Sequence, residues 1–401
     1  MWSRELEDAL WQGVLAEAAQ RIGADAEEPD EQEALRMVEE RVLAGAPELP
    51  LAELCDLTDR LFGRLRGDLG SLSYLLRDRE VTEIMVNGPQ EVFVEKKGRL
   101  IRTRDRFTNV EELEQVIRRI ASSVHREINE LEPILDARLA DGSRVNAVMK
   151  NVAIGGPALT IRRFSREKIT LEHMVELGSV TREGAALLRK LVRAGMNVFV
   201  SGGTSSGKTT LLNALADHIP PEERVVVIED SLELQLYDTE NIVRLECRNA
   251  NSLGRGRDTM NDQIRTSLRM RPDRVVVGEV RGAETADMLQ ALNTGHCGMS
   301  TGHANSSRGM LRRLEAMYLS GADIPIDAIR AQITEGIDIL VHLMRDREGR
   351  RKVVEIQELL GFRDGEYLLN PLFVMEDGRQ LQATGNRLQN DRKLRLRGEE
   401  R

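Results

Sequence analysis

Aromatic side chains make up only 3% of the 401 residues, too few to build the stacking platforms that hold single-stranded nucleic acid. The net charge of −9 points the same way, because a general polyanion binder carries a positive balance. Cysteine is scarce. Cys55, Cys247 and Cys297 lie far apart with no C-x-x-C pair, which suggests neither a disulfide framework nor a zinc site and fits a reducing cytoplasm. No apolar run approaches the length of a membrane span, and an N-terminus with Glu5, Glu7 and Asp8 is not that of a signal peptide. What remains, 41% hydrophobic and 31% charged, is a soluble globular balance, and the length calls for two domains with small appendages.

The chain is organised around residues 197–212. A short apolar run, Val198-Phe199-Val200, leads into Ser201-Gly202-Gly203-Thr204-Ser205-Ser206-Gly207-Lys208-Thr209-Thr210 and then into a helical pattern. Gly202, four residues, Gly207, Lys208 and Thr209 fit the G-x-x-x-x-G-K-[ST] spacing of a phosphate-binding loop. Its glycines let successive N–H groups face an anion at a helix N-terminus. Lys208 then reaches the β- and γ-phosphates of ATP, and the Thr209 hydroxyl takes a position on Mg²⁺.

Before this stretch, Leu6, Leu10, Val14, Ala18 and Ile22 recur every fourth residue, and helical patterns follow at about 31–44 and 50–66. Residues 1–66 therefore read as a helical module. Trp2 and Trp11 read as core or docking residues. From 67 to 165 the texture is α+β: a hairpin over Val81–Val94, a helix at about 109–126, and strands near 133–138, 143–149 and 158–164. Arg138, Arg144, Arg162 and Arg163 sit on or beside those strands, as a solvated sheet face or as groups facing nucleotide. A linker over 166–180 leads to the P-loop domain, 181–375, where Val225–Ile228, Val275–Val277 and Ile339–Val341 alternate with helical patterns. That alternation predicts a mainly parallel sheet with helices on both faces, closed by a hairpin over 352–373. Residues 376–401 read as a frayed, charged tail.

In a parallel sheet the strand ends collect at the P-loop edge. Glu229, ending Val225–Ile228, is the first candidate for polarising water, with Glu233 second. Glu279 follows Val275-Val276-Val277-Gly278 as a Walker B-like acid that holds Mg²⁺ directly or through water. His303 ends a β-like stretch and reaches the same edge; with His296 it lacks a third ligand at metal spacing. Asp273 reads as a cap at the opposite edge. Eight arginines, at 244, 248, 255, 257, 265, 269, 271 and 274, lie in an otherwise acidic chain. They form a solvated face, a DNA contact, or fingers reaching a neighbouring subunit's nucleotide, with Arg244, Arg248, Arg265 and Arg269 the named candidates.

These motifs together resemble the type II/IV secretion ATPase superfamily, and within it the tight-adherence (Tad/Flp) pilus assembly ATPases. The matching stretches are Val81-Thr82-Glu83-Ile84-Met85-Val86-Asn87-Gly88, Asp136-Ala137-Arg138-Leu139-Ala140-Asp141-Gly142-Ser143-Arg144-Val145-Asn146 and Leu159-Thr160-Ile161-Arg162-Arg163-Phe164. They continue through the P-loop, Ile228-Glu229-Asp230, Arg269-Met270-Arg271-Pro272-Asp273-Arg274 and Gly278-Glu279-Val280-Arg281-Gly282-Ala283-Glu284. The resemblance implies a RecA-like ATPase domain preceded by a smaller PAS-like α+β domain, with ATP between them in a homo-hexamer that drives an inner-membrane platform protein. By that match Glu229 lies in the acidic box, Glu279 in Walker B and His303 in the histidine box. One departure is Gly302, where the family commonly carries an apolar residue just before this histidine, with Ser300 and Thr301 preceding it; the resemblance leaves the rigidity of the His303 position open. The competing function is a nucleic-acid translocase on the same core. A GTPase is disfavoured, since no N-K-x-D motif occurs.

Overall fold

The structure, a computed structural model, describes residues 2–25, 30–66, 72–96, 98–163, 168–236, 239–248, 256–376 and 380–399, without the side chains of Arg4, residues 21–25 and Arg66. The side chain of Ile22, the turn residue Lys97, Phe164 and Arg255 fall outside that description. The chain divides into two units, residues 1–166 and 167–401.

In the first unit, helices α1 (Arg4–Asp25), α2 (Glu31–Gly45) and α3 (Leu51–Arg66) bury the stripes visible in the sequence. Leu10, Val14 and Ala18 meet Met37, Val38 and Val42 of α2 and Leu57 and Leu61 of α3. Asp30 starts α2 with a capping box completed by Glu33. Arg60 and Arg64 lie over the rings of Trp2 and Trp11, so both indoles serve packing here. The helices share a unit with the α+β part. Asp105 takes the Arg60 guanidinium at 2.6 Å and the hydroxyl of Tyr74, on α4 (Ser73–Arg77), at 2.6 Å.

Six strands follow: β1 (Val81–Asn87), β2 (Val92–Lys96), β3 (Arg99–Arg102), β4 (Ile134–Arg138), β5 (Arg144–Val148) and β6 (Ala158–Arg162). Helix α5 (Val110–Ser123) falls between β3 and β4. They form an antiparallel sheet in the order β3-β2-β1-β6-β5-β4. The apolar face of α5, with Leu113, Val116, Ile117 and Ile120, packs with Ile84, Val86, Val145, Leu159 and Ile161. The elements match their expected positions within a few residues.

The second unit runs α6 (Leu171–Glu176), α7 (Arg182–Arg193), β7 (Val198–Gly202), α8 (Lys208–Ala216), β8 (Val225–Glu229), β9 (Ile242–Glu246), α9 (Met260–Ser267) and β10 (Arg274–Val277). It continues with α10 (Glu284–Asn293), β11 (Cys297–His303), α11 (Ser307–Leu319), α12 (Ile326–Gly336) and β12 (Ile339–Arg345). Strands β13 (Arg351–Arg363), β14 (Glu366–Glu376) and β15 (Gln380–Ala383) and helix α13 (Arg392–Leu396) close it. Period-2 alternation sends Val198, Val200, Val225, Val227 and Val341 to one face and Phe199, Val226, Ile228, Val275 and Leu340 to the other. Helices α6–α8 pack on the first face and α9–α12 on the second.

The expected mainly parallel sheet is a mixed one. Strands β12-β7-β11-β10-β8-β9 are parallel, and β13, β14 and β15 extend the β12 edge antiparallel. A tight turn at 346–350, with Gly349 at φ 83°, leaves no length for a crossover, so β13 must return antiparallel.

Two boundaries also differ from expectation. The stretch read as a linker contains α6, and Leu171, Met174 and Val180 are buried in the core of the second unit. The stretch read as a frayed tail carries β15 and α13, with Leu381 and Leu394 in that same core. Its polar groups are matched. Glu358, 1% exposed, accepts the backbone N–H of Gln389 (2.9 Å) and Asn390 (2.7 Å), and Arg397 donates to Glu223 at 2.7 Å.

Candidate nucleotide site

Strand order determines the site. In the parallel core β11 lies between β7 and β10, and β8 lies beyond β10, so Gly202, His303, Glu279 and Glu229 arrive side by side at one carboxyl edge. The turn between β7 and α8 carries two left-handed residues, Ser205 (φ 57°) and Gly207 (φ 96°), the second at the helix N-cap. At Gly202 a Cβ would stand 2.6 Å from the Leu343 carbonyl oxygen, so no side chain fits; at Gly203 nothing lies within 4 Å. Ser206 is buried and donates to the Gly203 carbonyl at 2.9 Å, Thr204 and Ser205 are exposed, and Thr209 and Thr210 are half-buried on the first turn of α8.

The Lys208 ammonium donates to the Gly203 carbonyl at 2.9 Å and lies 3.2 Å from His303 Nδ1. Burial lowers its pKa, against the attraction of Glu279. His303 Nε2 lies 2.9 Å from Glu279 Oε1. Burial and then the neighbouring Lys208 lower the imidazole pKa. A neutral ring that accepts from the ammonium at Nδ1 carries its proton on Nε2, facing Glu279. Glu279 Oε2 in turn accepts from Arg281 Nη2 (2.8 Å) and Nε (3.1 Å), and Arg281 Nη1 reaches Asp230 at 3.2 Å. Arg281 has no role in the sequence reading, although it stands two residues after Glu279 within a quoted motif.

Glu229 reaches the edge but turns inward. It is 3% exposed and its carboxylate accepts the backbone N–H of Glu233 (3.0 Å) and Leu234 (3.1 Å). Gly278 makes room for it, since a Cβ there would stand 2.9 Å from Glu229 Cγ. Glu233 is half-buried, and its charge acts on both Lys208 and Arg281. At Gly302 the space is filled by Met310, whose Cε would be 2.8 Å from an added Cβ, and Phe199 closes the other side. His303 therefore follows a packed position.

The arginine cluster disperses. Arg274 is buried against Glu223, Arg265 pairs with Asp287 at 2.9 Å, and Arg244 donates to the Leu236 carbonyl at 3.3 Å. Arg248 bridges through its backbone to Asp258, and Arg269 and Arg271 are exposed. Asp273 accepts the Arg224 backbone N–H at 2.8 Å, at the edge opposite the P-loop. His296 lies by the C-terminus of α10, 3.3 Å from the Ala291 carbonyl.

In the first unit Arg138, Arg144 and Arg162 stand directly across β4, β5 and β6 from one another, with Glu83 next on β1. Arg138 Nε donates to the Gly142 carbonyl at 3.2 Å, and Glu83 offsets part of the charge opposite Arg162. Arg163 instead donates to the carbonyls of Asp78 and Val81, which is a structural role. Two further contacts escaped the sequence reading. His342 Nδ1, 2% exposed, lies 2.8 Å from Ser201 Oγ behind the P-loop, and Arg351 Nε donates to the Ser205 carbonyl at 3.1 Å.

A mixed α/β sheet with a lysine-bearing glycine turn at its carboxyl edge, and an acid and an imidazole on the adjacent strand ends, has the layout of a nucleotide-binding protein. Comparison with known proteins gives the family. The profile described as "Type II/IV secretion system protein" matches residues 66–365, and the chain belongs to that family of secretion ATPases. A putative conjugal transfer protein of Mycobacterium tuberculosis is 37% identical over 298 residues, 72% of this chain and 84% of that protein. The probable conjugal transfer protein TrbB of Sinorhizobium fredii is 33% identical over 313 residues, 77% of this chain and 92% of that protein. The fold is shared with the Legionella pneumophila ATPase DotB, with a TM-score of 0.52 and 21% identity over 73% of this chain and 80% of that one. Among the described residues no helix is long and apolar enough to cross a membrane.

Proposed function

We propose that this chain is an ATP-hydrolysing motor of a secretion, conjugation or pilus machine. It works as a homo-hexamer on an inner-membrane platform protein, at the cytoplasmic face. The observation that carries this reading is the continuous Lys208–His303–Glu279–Arg281 array at the carboxyl edge of the sheet. The Gly203 carbonyl and the neutral imidazole occupy the Lys208 ammonium, as weak partners that a phosphate can replace. Residues Gly202–Thr210 would hold the phosphates of ATP, and Thr209 with Glu279 would hold Mg²⁺, which would supply charge neutralisation at the phosphates. Arg138 and Arg162, with Arg144, supply a second anion-facing surface.

Water positioning falls to Glu233, because Glu229 spends its oxygens on the following turn. Arg244, Arg248 and Arg269 are the arginines left to act in trans; Arg265 is held by Asp287. The finer assignment, to tight-adherence pilus assembly, rests on the motif set alone. Steady-state ATP turnover tests the reading: Lys208→Ala is expected to abolish it, and Glu279→Ala to leave ATP bound but unhydrolysed. Near-normal turnover in either variant contradicts the assignment.

A further inference from the structure

Between Leu343 and Val353 the sequence carries Arg345, Arg347, Arg350, Arg351 and Lys352 against only Asp346 and Glu348. The turn engages part of this charge: Arg350 pairs with Asp346 at 2.8 Å and also with Glu348, and Arg345 donates to the Gly349 carbonyl at 3.0 Å. Arg351, the first residue of β13, does something else. Its Nε donates to the carbonyl of Ser205, and its Cδ stands 3.2 Å from where a Cβ at Gly207 would lie. The side chain thus runs along the two left-handed residues of the phosphate-binding turn. Among the described residues its guanidinium pairs with no carboxylate. Strand β12 backs the same turn, through the Leu343 carbonyl against Gly202.

Among the described residues this exposed guanidinium has no carboxylate partner, and it adds a positive charge along the turn that opens α8, where the helix N-terminus already favours an anion. That placement becomes favourable when a polyanion lies on the turn. Resting on the ATP-binding reading above, we infer that Arg351 is a nucleotide-binding residue. Its Nε fixes the turn through Ser205, and its two terminal amino groups meet the phosphates. The antiparallel extension of the sheet thereby supplies a wall of the nucleotide site. A lysine at this position keeps the charge but loses the fork that serves carbonyl and phosphate together.

The test is equilibrium binding of ATP with Mg²⁺ to the full chain over a series of salt concentrations, for wild type, Arg351→Ala, Arg351→Lys, Arg350→Ala and Lys208→Ala. Arg351→Ala is expected to raise Kd about tenfold or more and to flatten its salt dependence, as loss of one charge-assisted contact does. Arg351→Lys should recover the salt slope with only part of the affinity, and Arg350→Ala should stay near wild type. An Arg351→Ala variant with unaltered affinity, or with weaker binding at an unchanged salt slope, overturns the phosphate contact. Tight binding by Lys208→Ala overturns the underlying nucleotide-site reading, and the inference with it.

Discussion

His303 Nδ1 lies 3.2 Å from the ammonium of Lys208 although 95 residues separate them, because β11 and β7 are adjacent parallel strands with His303 in register with Gly202. The imidazole thus joins the phosphate-binding turn to the acid on the next strand, Glu279. Its neutrality matters: a second cation beside Lys208 would repel it and break the acceptor role of Nδ1.

Acidification should therefore remove activity. The His303 pKa lies below the ordinary 6.5, owing to burial and Lys208. ATP turnover is expected to hold at pH 7 and to fall at some pH below 6.5, with the acid limb absent from whatever activity His303→Gln retains. An acid limb of unchanged position in that variant assigns the titration to another group.

Stability should follow the buried His342 in the same direction. Burial lowers its pKa below 6.5, so below that pH the unfolded chain binds more protons than the folded one. Its contribution is complete above 6.5 and is lost as pH falls towards the folded value. Thermal melts from pH 7.5 to 5 are expected to show a smaller drop in Tm for His342→Asn than for wild type; parallel drops contradict this.

Adjacent glycines of the turn should differ sharply. Gly202→Ala drives a Cβ to 2.6 Å from the Leu343 backbone oxygen, whereas Gly203→Ala meets nothing within 4 Å. The first is expected to cost about 1–3 kcal/mol by overpacking and to lose nucleotide binding, and the second to leave stability within about 0.5 kcal/mol. Denaturant titration with ATP-binding measurements compares them, and equal effects contradict the packing at Gly202.

The C-terminal segment should be integral to the second unit. Leu394, 4% exposed in the main core, is expected to cost about 2–5 kcal/mol when replaced by alanine. A denaturation midpoint equal to wild type would return residues 380–399 to the frayed tail that their composition suggests.

Legibility followed sequence distance. Gly202–Thr210 is one contiguous pattern with a single physical use, Glu279 follows the apolar run Val275–Val277, and His303 ends a β-like stretch, so their edge could be read from the chain. Strand position says where a residue sits and leaves the direction of its side chain open, so the edge makes Glu229 the first candidate for polarising water although its carboxylate caps the following turn. The partners Ser201–His342 and Ser205–Arg351 are 141 and 146 residues apart, and no local periodicity links such residues. Strand β9 is hard to read from sequence because Ile242-Val243-Arg244-Leu245-Glu246 alternates with charges and shows no apolar run like those of β8 and β10. In the tail, single apolar residues such as Leu381 and Leu394 lie among polar groups whose partners are far back in the chain: Glu223 accepts from Arg397, and Glu358 accepts the backbone N–H groups of Gln389 and Asn390.

Arginines acting between subunits can be found by complementation. Mixing Lys208→Ala chains with Arg244→Ala, Arg248→Ala or Arg269→Ala chains is expected to restore turnover for the arginine that works in trans, since a mixed ring contains interfaces with both groups intact. No recovery in any of the three mixtures contradicts a finger among them.

The most direct measurement is specific ATP turnover as a function of protein concentration, with solution mass determined on the same samples and with single- and double-stranded DNA added in parallel. A ring motor gives specific activity that rises as hexamers form and is indifferent to DNA. Activity that is flat with concentration, or that appears only with DNA, contradicts the motor and points to a nucleic-acid translocase.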